Sequence, residues 1–280
     1  MNGFAAHAAF TLKRNRLALT ALAGMALLCF LAIFGPYLAQ SSPLSTSSEI
    51  LSAPSKTHLF GTDHVGRDIF SRVLTAARMD LGIAFGAVLL SLAAGAIFGA
   101  MAGYYGGIID MAVTRLVETI MAFPLFVLAM AIVAALGNSV SNIVYATAII
   151  NLPFYVRVAK TEVNIRRNSQ FVEAAMISGN SGPRVIFVHI LPNILPTLMV
   201  QASLNMGWAI LNAAGLSFIG LGVRPPDAEW GIMVAEGAQY IVSGEWWTVL
   251  FPGLALMFAV LCFNFLGDAL RDIFDPRKRA

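Results

Sequence analysis

Apolar residues in this chain are gathered into long runs, and the charges, glycines and prolines fall in the short stretches between them. Six runs approach or exceed the roughly 20 residues an α-helix needs to cross about 30 Å of hydrocarbon. They are Leu17 to Leu38, Leu81 to Ala102, Leu116 to Leu136, Val140 to Val156, Val185 to about Ala209, and Trp247 to Gly267. The pattern predicts an all-α polytopic membrane protein of six transmembrane helices. Around the spans lie an N-terminal segment 1–16, an exterior segment 39–80, an interior loop 157–184, a second exterior segment 210–246 and a tail 268–280. The first run follows Lys13, Arg14 and Arg16 in the manner of a signal peptide, but it exceeds the ~7–15 residues of a signal core and reads as an uncleaved span.

The uninterrupted apolar stretch from Val185 to Gly222 is too long for one span and short for two. Asn205, Gly207, Asn212 and Gly215 fall inside it, so the expectation is one span followed by a re-entrant or surface-lying piece over Leu211 to Gly222 near an outer mouth; a single long tilted helix is the alternative. In the second run Gly82, Gly86, Gly95, Gly99 and Gly103 recur at four-residue spacings, which strips one helix stripe for close packing.

Composition sharpens the class. The chain is 58% hydrophobic and 12% charged, about half the charge of a soluble domain, too little polar surface to cover a water-soluble fold. A net charge of +3 without a basic patch gives no footprint for nucleic acid. Charge instead orients the spans: Arg115, Arg157, Lys160, Arg166, Arg167, Arg184 and Arg271 join the terminal Lys13, Arg14, Arg16, Arg277, Lys278 and Arg279 on one side, against Lys56, Arg67, Arg72, Arg78 and Arg224 on the other. The positive-inside rule then puts both termini and the 157–184 loop in the cytoplasm. Cys29 and Cys262 lie in apolar runs and act as small hydrophobes.

The missing chemistry is informative. An ion-coupled carrier needs ionisable groups deep in the bilayer, and here Arg115 with Glu118 and His189 all sit at interfacial depth. A phosphate-gripping loop requires GxxxxGK[ST], which is absent, so the chain does not hydrolyse ATP. Asp63, His64, Arg67 and Asp68 read as a salt-linked exterior turn rather than a metal site, and His58 and His64 could be ligands but, six apart in a Gly-containing loop, are weak evidence for a metal. A membrane enzyme would need a nucleophile or acid–base pair in the bundle, and His189 has no evident carboxylate partner. A passive channel is the remaining competitor. The uncharged Asn142, Asn151, Asn193, Gln201, Ser203, Asn205, Asn212 and Asn264 require partners in hydrocarbon, either other helices or a watery pathway.

The loop from Asn168 to Pro183 reads as a short amphipathic helix. Asn168 or Ser169 caps it, Glu173 lies in its first turn, and Gly179 with Asn180 stops it. Phe171, Ala174, Ala175 and Ser178 share one face at helical period. A free helix this short is marginal in water and needs a partner, either another protein or its own bundle.

Glu173, Ala174, Ala175, Gly179, Leu191 and Pro192 resemble the EAA motif of permease subunits of ATP-binding-cassette importers, with His189 where the general motif has Ile. His58 to Leu74, Gly103 to Arg115, Ala122 to Pro124, Leu216 to Gly231, Phe251 to Met257 and Asn264 to Arg277 resemble the dipeptide/oligopeptide/nickel branch, in particular its second (DppC/OppC-type) subunit. Ala228 departs from the branch's usual proline. The resemblance covers residues 12–278. It implies the type I importer permease fold and half of a pathway for di- or oligopeptides, with nickel complexes, glutathione, opines or oligosaccharides as alternative cargo. It further implies a similar second permease subunit, two ATPase subunits that bind ATP and Mg, a periplasmic or extracellular solute-binding protein, and no cofactor in this chain. Glu173, Ala174, Ala175 and Gly179 would dock the ATPase. Asp63, Arg67, Asp68, Glu229 and Trp230 would lie at the outer mouth against the binding protein.

Overall fold

In a computed structural model of the protein, residues 16–274 are described; Lys13, Arg14, Arg277, Lys278 and Arg279, used above for topology, lie outside them. The described residues form helices and no strand ladder. They are α1 Arg16–Leu38, α2 Ile69–Tyr105, α3 Gly107–Met121, α4 Leu125–Leu136, α5 Val140–Arg166, α6 Gln170–Ile177, α7 Gly182–Phe218, α8 Trp230–Ala238 and α9 Trp247–Phe274. Five of these are long and apolar enough to cross a membrane, and the bent pair α3–α4 makes a sixth.

The helices outrun the apolar runs. α2 starts at Ile69 rather than Leu81 because Asp68 caps it, its carboxylate accepting the Ser71 amide at 2.8 Å. The twelve residues so added bury Ile69, Val73 and Ala77 in the core cluster that includes Phe60, Trp230, Met233 and Trp247, so burial replaces the missing lipid. This cap end of the bundle is completed by the 219–246 segment with α8. At the opposite, coupling end, α5 continues ten residues past Val156 to carry α6.

The third span is not one helix. α3 and α4 meet at 89° across Ala122–Pro124. Pro124 has no amide to donate and restricts the residue before it, which ends α3. The stretch after Val185 differs in the opposite sense: no re-entrant piece follows, and α7 runs unbroken to Phe218. Most of the residues thought to break it are accommodated, although the buried Asn205 Nδ2 has no hydrogen-bond partner among the described residues. Asn212 Nδ2 donates to the Trp208 carbonyl at 2.8 Å, Gln201 Nε2 donates to Asn205 Oδ1 at 3.0 Å, and Gly207 and Gly215 admit Val260 and Phe126 as close neighbours. The irregularity lies earlier. Over Val185–Ile190 the ladder runs one residue long, with Leu191 N donating to Ile186 O, just ahead of Pro192 and Pro196, which lack donors.

The main packing seam joins α2 to α5. A methyl group added at Gly95 would overlap Tyr155, at Gly99 it would lie 2.5 Å from Val156 O, and at Gly103 2.8 Å from Lys160 O. These three glycines bring the two backbones together as the four-residue spacing predicted. Gly82 does not take part: an added Cβ there meets nothing within 4 Å.

Candidate functional site: the coupling helix and the cap

α6 is held from beneath. Val172 and Ala175 are buried among Val163, Val185, Ile186 and Ile190, which fastens the short helix to α5 and to the first turns of α7. Its end is the predicted one: Gly179 takes φ +80°, and the Asn180 and Gly179 amides donate to Ala175 O (3.2 Å) and Met176 O (2.9 Å). Such a left-handed turn satisfies carbonyls that the helix leaves orphaned. At its start the Ser169 hydroxyl does not cap forward but donates back to Arg166 O at 2.6 Å.

The face of α6 turned away from the bundle differs from the expected one. Glu173, Ala174 and Gly179 are exposed, but Ala175 is 7% exposed and faces the bundle. The accessible surface keeps the expected Phe171 (41%) and adds Ile177 (87%). At this end α5 also ties down α3, Lys160 pairing with Asp110 and donating to Thr114 Oγ1 at 3.0 Å. Arg115 and Glu118 form an exposed pair at 3.0 Å. His189 sits half-buried in the loosened turn, where Asn193 Nδ2 donates to its carbonyl.

The cap is an ion-paired interior. Asp63 accepts from the Val65 and Arg67 amides and from Arg67 Nε at 2.6 Å. Arg67 Nη2 reaches Glu236 on α8 at 3.1 Å. Arg72, 1% exposed, lies 3.7 Å from Asp63 and 3.6 Å from Glu236 and donates to the carbonyls of Pro43, Pro226 and Asp227. One guanidinium thus fastens three separate segments. His58 Nδ1 bonds Asp68 Oδ1 at 2.9 Å, with Glu49 on its other nitrogen at 3.5 Å. The salt-linked turn read from the sequence is present, and it extends to Glu236.

Consequently the five residues expected to meet a binding protein do not present themselves: Asp63, Arg67, Asp68, Glu229 and Trp230 are all buried. Glu229 caps α8, accepting the Gly231 and Ile232 amides at 2.9 and 2.7 Å. Trp230 donates through its indole to Val73 O and through its amide to Asp80. Their work is internal, securing the cap to α2. Burial raises the Glu229 carboxyl above the usual carboxylate range, and the neighbouring Asp80 offsets part of that rise.

Asp63, His64 and Glu236 bring donor atoms within 4.8 Å of one another. Both carboxylates already face the buried guanidiniums of Arg67 and Arg72, so a dication there would sit against two fixed positive charges. The donor set does not suit a metal.

With α6 and the cap placed, the comparisons with known proteins become decisive. The model of the family described as binding-protein-dependent transport system inner membrane component matches residues 95–280, and that of the N-terminal TM domain of oligopeptide transport permease C matches residues 4–54. This chain belongs to the binding-protein-dependent permease family. It is 46% identical to the dipeptide transport system permease protein DppC of Alkalihalophilus pseudofirmus, covering 96% of this chain and 88% of the relative. It is 41% identical to the probable D,D-dipeptide transport system permease protein DdpC of Escherichia coli (95% and 89% covered) and 40% identical to the nickel transport system permease protein NikC of the same species (93% of each). Among solved structures it resembles a chain of the MetNI methionine ABC transporter in an inward-facing conformation, with TM-score 0.58 and 16% identity over 73% of this chain and 97% of that one. That likeness speaks for the permease fold alone.

For a permease of this family, sequence reading found α6 but missed Arg72, Asp80 and Glu236. Asp80 had a signal: it is an acid immediately before an apolar run, where an unpaired carboxylate would be costly. Glu236 had none, because only folding brings it beside Arg67.

Proposed function

We propose that this permease forms half of the pathway of an ATP-driven importer for di- or oligopeptides, opposite a homologous subunit. Two separate ATPase subunits bind ATP and Mg and drive it, and a solute-binding protein feeds it at the cap end. The observation that carries the reading is α6: a short helix anchored by Val172 and Ala175 that leaves Phe171 and Ile177 open at the coupling end. An isoleucine 87% exposed on a polar loop is the kind of residue that a partner's groove covers. Peptide cargo is supported by the relatives named for dipeptides.

Arg157, Lys160, Arg166, Arg167 and Arg184 gather at the coupling end, which supports a cytoplasmic location for that end and for both termini. ATP drives transport only if the docked ATPases favour one bundle state over another, so α6 must transmit a differential contact. Ile177→Asp and Glu173→Lys lie on the open face and are expected to leave membrane insertion and thermal stability unchanged. Each lowers ATPase co-purification and dipeptide uptake by about tenfold or more, the loss typical of an interface anchor. Unchanged complex yield and uptake would refute the docking role. The NikC relative supports a second cargo, nickel complexes; competition between labelled dipeptide and nickel for uptake decides between them.

A further inference from the structure

Two of the four cap-end arginines, Arg67 and Arg72, are buried and paired, and Arg224 is exposed on the loop that follows α7. Arg78 is different. It lies on α2 one turn deeper than Leu74, whose carbonyl receives Gly35 of α1 in close contact, and so it sits below the cap-end terminus of α1 and three residues ahead of the apolar run. It is exposed and forms no ion pair among the described residues. A lone guanidinium at that depth faces the headgroup layer of the membrane, with its aliphatic stem along apolar surface.

Two open grooves share Arg78 as a wall. One, of about 670 Å³, runs between α1 and α2 and is lined by Ile33, Phe34, Tyr37 and Arg78. The other, of about 470 Å³, runs between α2 and α5 beneath the 219–229 loop and is lined by Leu44, Arg78, Gly82, Ile83, Val144 and Asp227. At Gly82 this groove reaches the bare helix backbone. Asp227 is exposed and likewise forms no ion pair among the described residues. Its neighbour Thr75 spends its hydroxyl on the Ser71 carbonyl.

We propose that Arg78 binds the phosphate of a diacyl phospholipid whose two chains lie in these two grooves, and that Asp227 faces a primary ammonium on the headgroup. The bound species is then phosphatidylethanolamine. A guanidinium fork matches a phosphate better than any other side chain, and two mostly apolar grooves that share that cation as a wall offer separate places for the two acyl chains of one phospholipid. The carboxylate at the mouth of the second groove repels an anionic headgroup and attracts an aminated one, which sets the preference. The inference goes beyond the transport reading and uses it only to assign the leaflet: the lipid belongs to the outer one.

The test uses the full chain expressed in a host whose membrane contains both phosphatidylethanolamine and phosphatidylglycerol. It is extracted in mild detergent and examined by native mass spectrometry with lipid extraction. The unaltered chain is expected to retain phosphatidylethanolamine in excess over its share of the membrane. Arg78→Gln should lower phospholipid retention by about fivefold, the worth of one arginine at a membrane surface. Asp227→Asn should keep the phospholipid but lose the preference over phosphatidylglycerol. Gly82→Leu, which adds a side chain where nothing stands within 4 Å, fills one groove without disturbing the packing and should also release the lipid at unchanged or higher thermal stability. Equal retention in all variants overturns the site. Retention without headgroup preference in the unaltered chain overturns the role of Asp227, and a second permease subunit cross-linking to a cysteine at position 78 shows that protein, not lipid, covers it. Altered lipid retention with normal dipeptide uptake leaves the transport reading standing, so the two fail separately.

Discussion

The seam between α2 and α5 gives a prediction with its own internal control. Gly82→Ala and Gly99→Ala make the same chemical change in the same helix, and each gains roughly 0.8–1.0 kcal/mol of helix propensity. Their surroundings differ. At Gly82 the new methyl meets nothing within 4 Å, whereas at Gly99 it lies 2.5 Å from Val156 O and 2.7 Å from Ala159 Cβ. A backbone oxygen cannot step aside as a flexible side chain does, so α2 and α5 must separate locally, at an overpacking cost of about 1–3 kcal/mol. Propensity cancels in the comparison, and the difference between the two variants is that cost alone. For a chain of this size it corresponds to about 2–12 °C in unfolding temperature, taking ~2–4 °C per kcal/mol. Detergent-solubilised protein followed by tryptophan fluorescence reads it directly. Gly82→Ala is expected at or above the unaltered midpoint and Gly99→Ala well below Gly82→Ala. Equal midpoints would mean that the glycines set no close approach, and the account of the α2–α5 seam would fall.

Two further perturbations probe the cap. Arg72→Met removes the donor shared by Pro43, Pro226 and Asp227 and leaves Asp63 and Glu236 with one guanidinium. Breaking a buried charge network in this way costs about 3–5 kcal/mol, and Arg72→Lys should not restore it, because one ammonium cannot span three carbonyls; limited proteolysis of the 39–68 and 219–229 segments measures both. Glu229, with its carboxyl raised by burial, gives a pH signature. An acid whose folded value exceeds its unfolded value of about 4.3 contributes stability that is full below that value and lost as pH rises through the folded one. Protease resistance of the 219–229 loop should therefore fall from acid toward neutral pH, and Glu229→Gln should flatten the profile; a profile that rises instead would refute the assignment.

Helix existence and approximate span positions were legible because long apolar runs in water have no other stable fate. The short coupling helix was legible through Gly179 and the small residues around it. Three things were not. Which face of α6 looks outward depends on Val163, Val185 and Ile186 coming from elsewhere in the chain, and a helical period alone assigned Ala175 to the open side. The burial of Asp63, Arg67, Asp68, Glu229 and Trp230 was hidden because charged loop residues read as solvent-exposed unless their partners are known, and Glu236 and Asp80 are remote in sequence. The continuity of α7 through Asn205, Gly207, Asn212 and Gly215 was hidden for a related reason: a polar side chain can bond within its own helix without breaking it, as Asn212 does to Trp208 and Gln201 to Asn205, and the two glycines pack against neighbouring helices.

The broken third span has a geometric consequence. α4 has 12 residues, about 18 Å of helix, too short for some 30 Å of hydrocarbon. Its far end is fixed at the cap end, where Asn138 Nδ2 donates to Gly220 O at 2.7 Å. The elbow at Ala122–Pro124 therefore falls within the membrane's thickness, followed by α3 with the exposed pair Arg115–Glu118. Non-helical backbone at that depth survives only against protein or a water-filled cavity, so the elbow is expected to face protein or the proposed pathway rather than lipid. Phe123, 54% exposed at the elbow, reports on this. In a Cys29→Ser, Cys262→Ala background, Phe123→Cys is expected to react with a charged, water-soluble thiol reagent applied from the coupling end, at a rate that changes when the ATPases are trapped with nucleotide. A cysteine there that reacts only with a lipid-soluble reagent would place the elbow in the bilayer and remove the pathway from this side of the bundle.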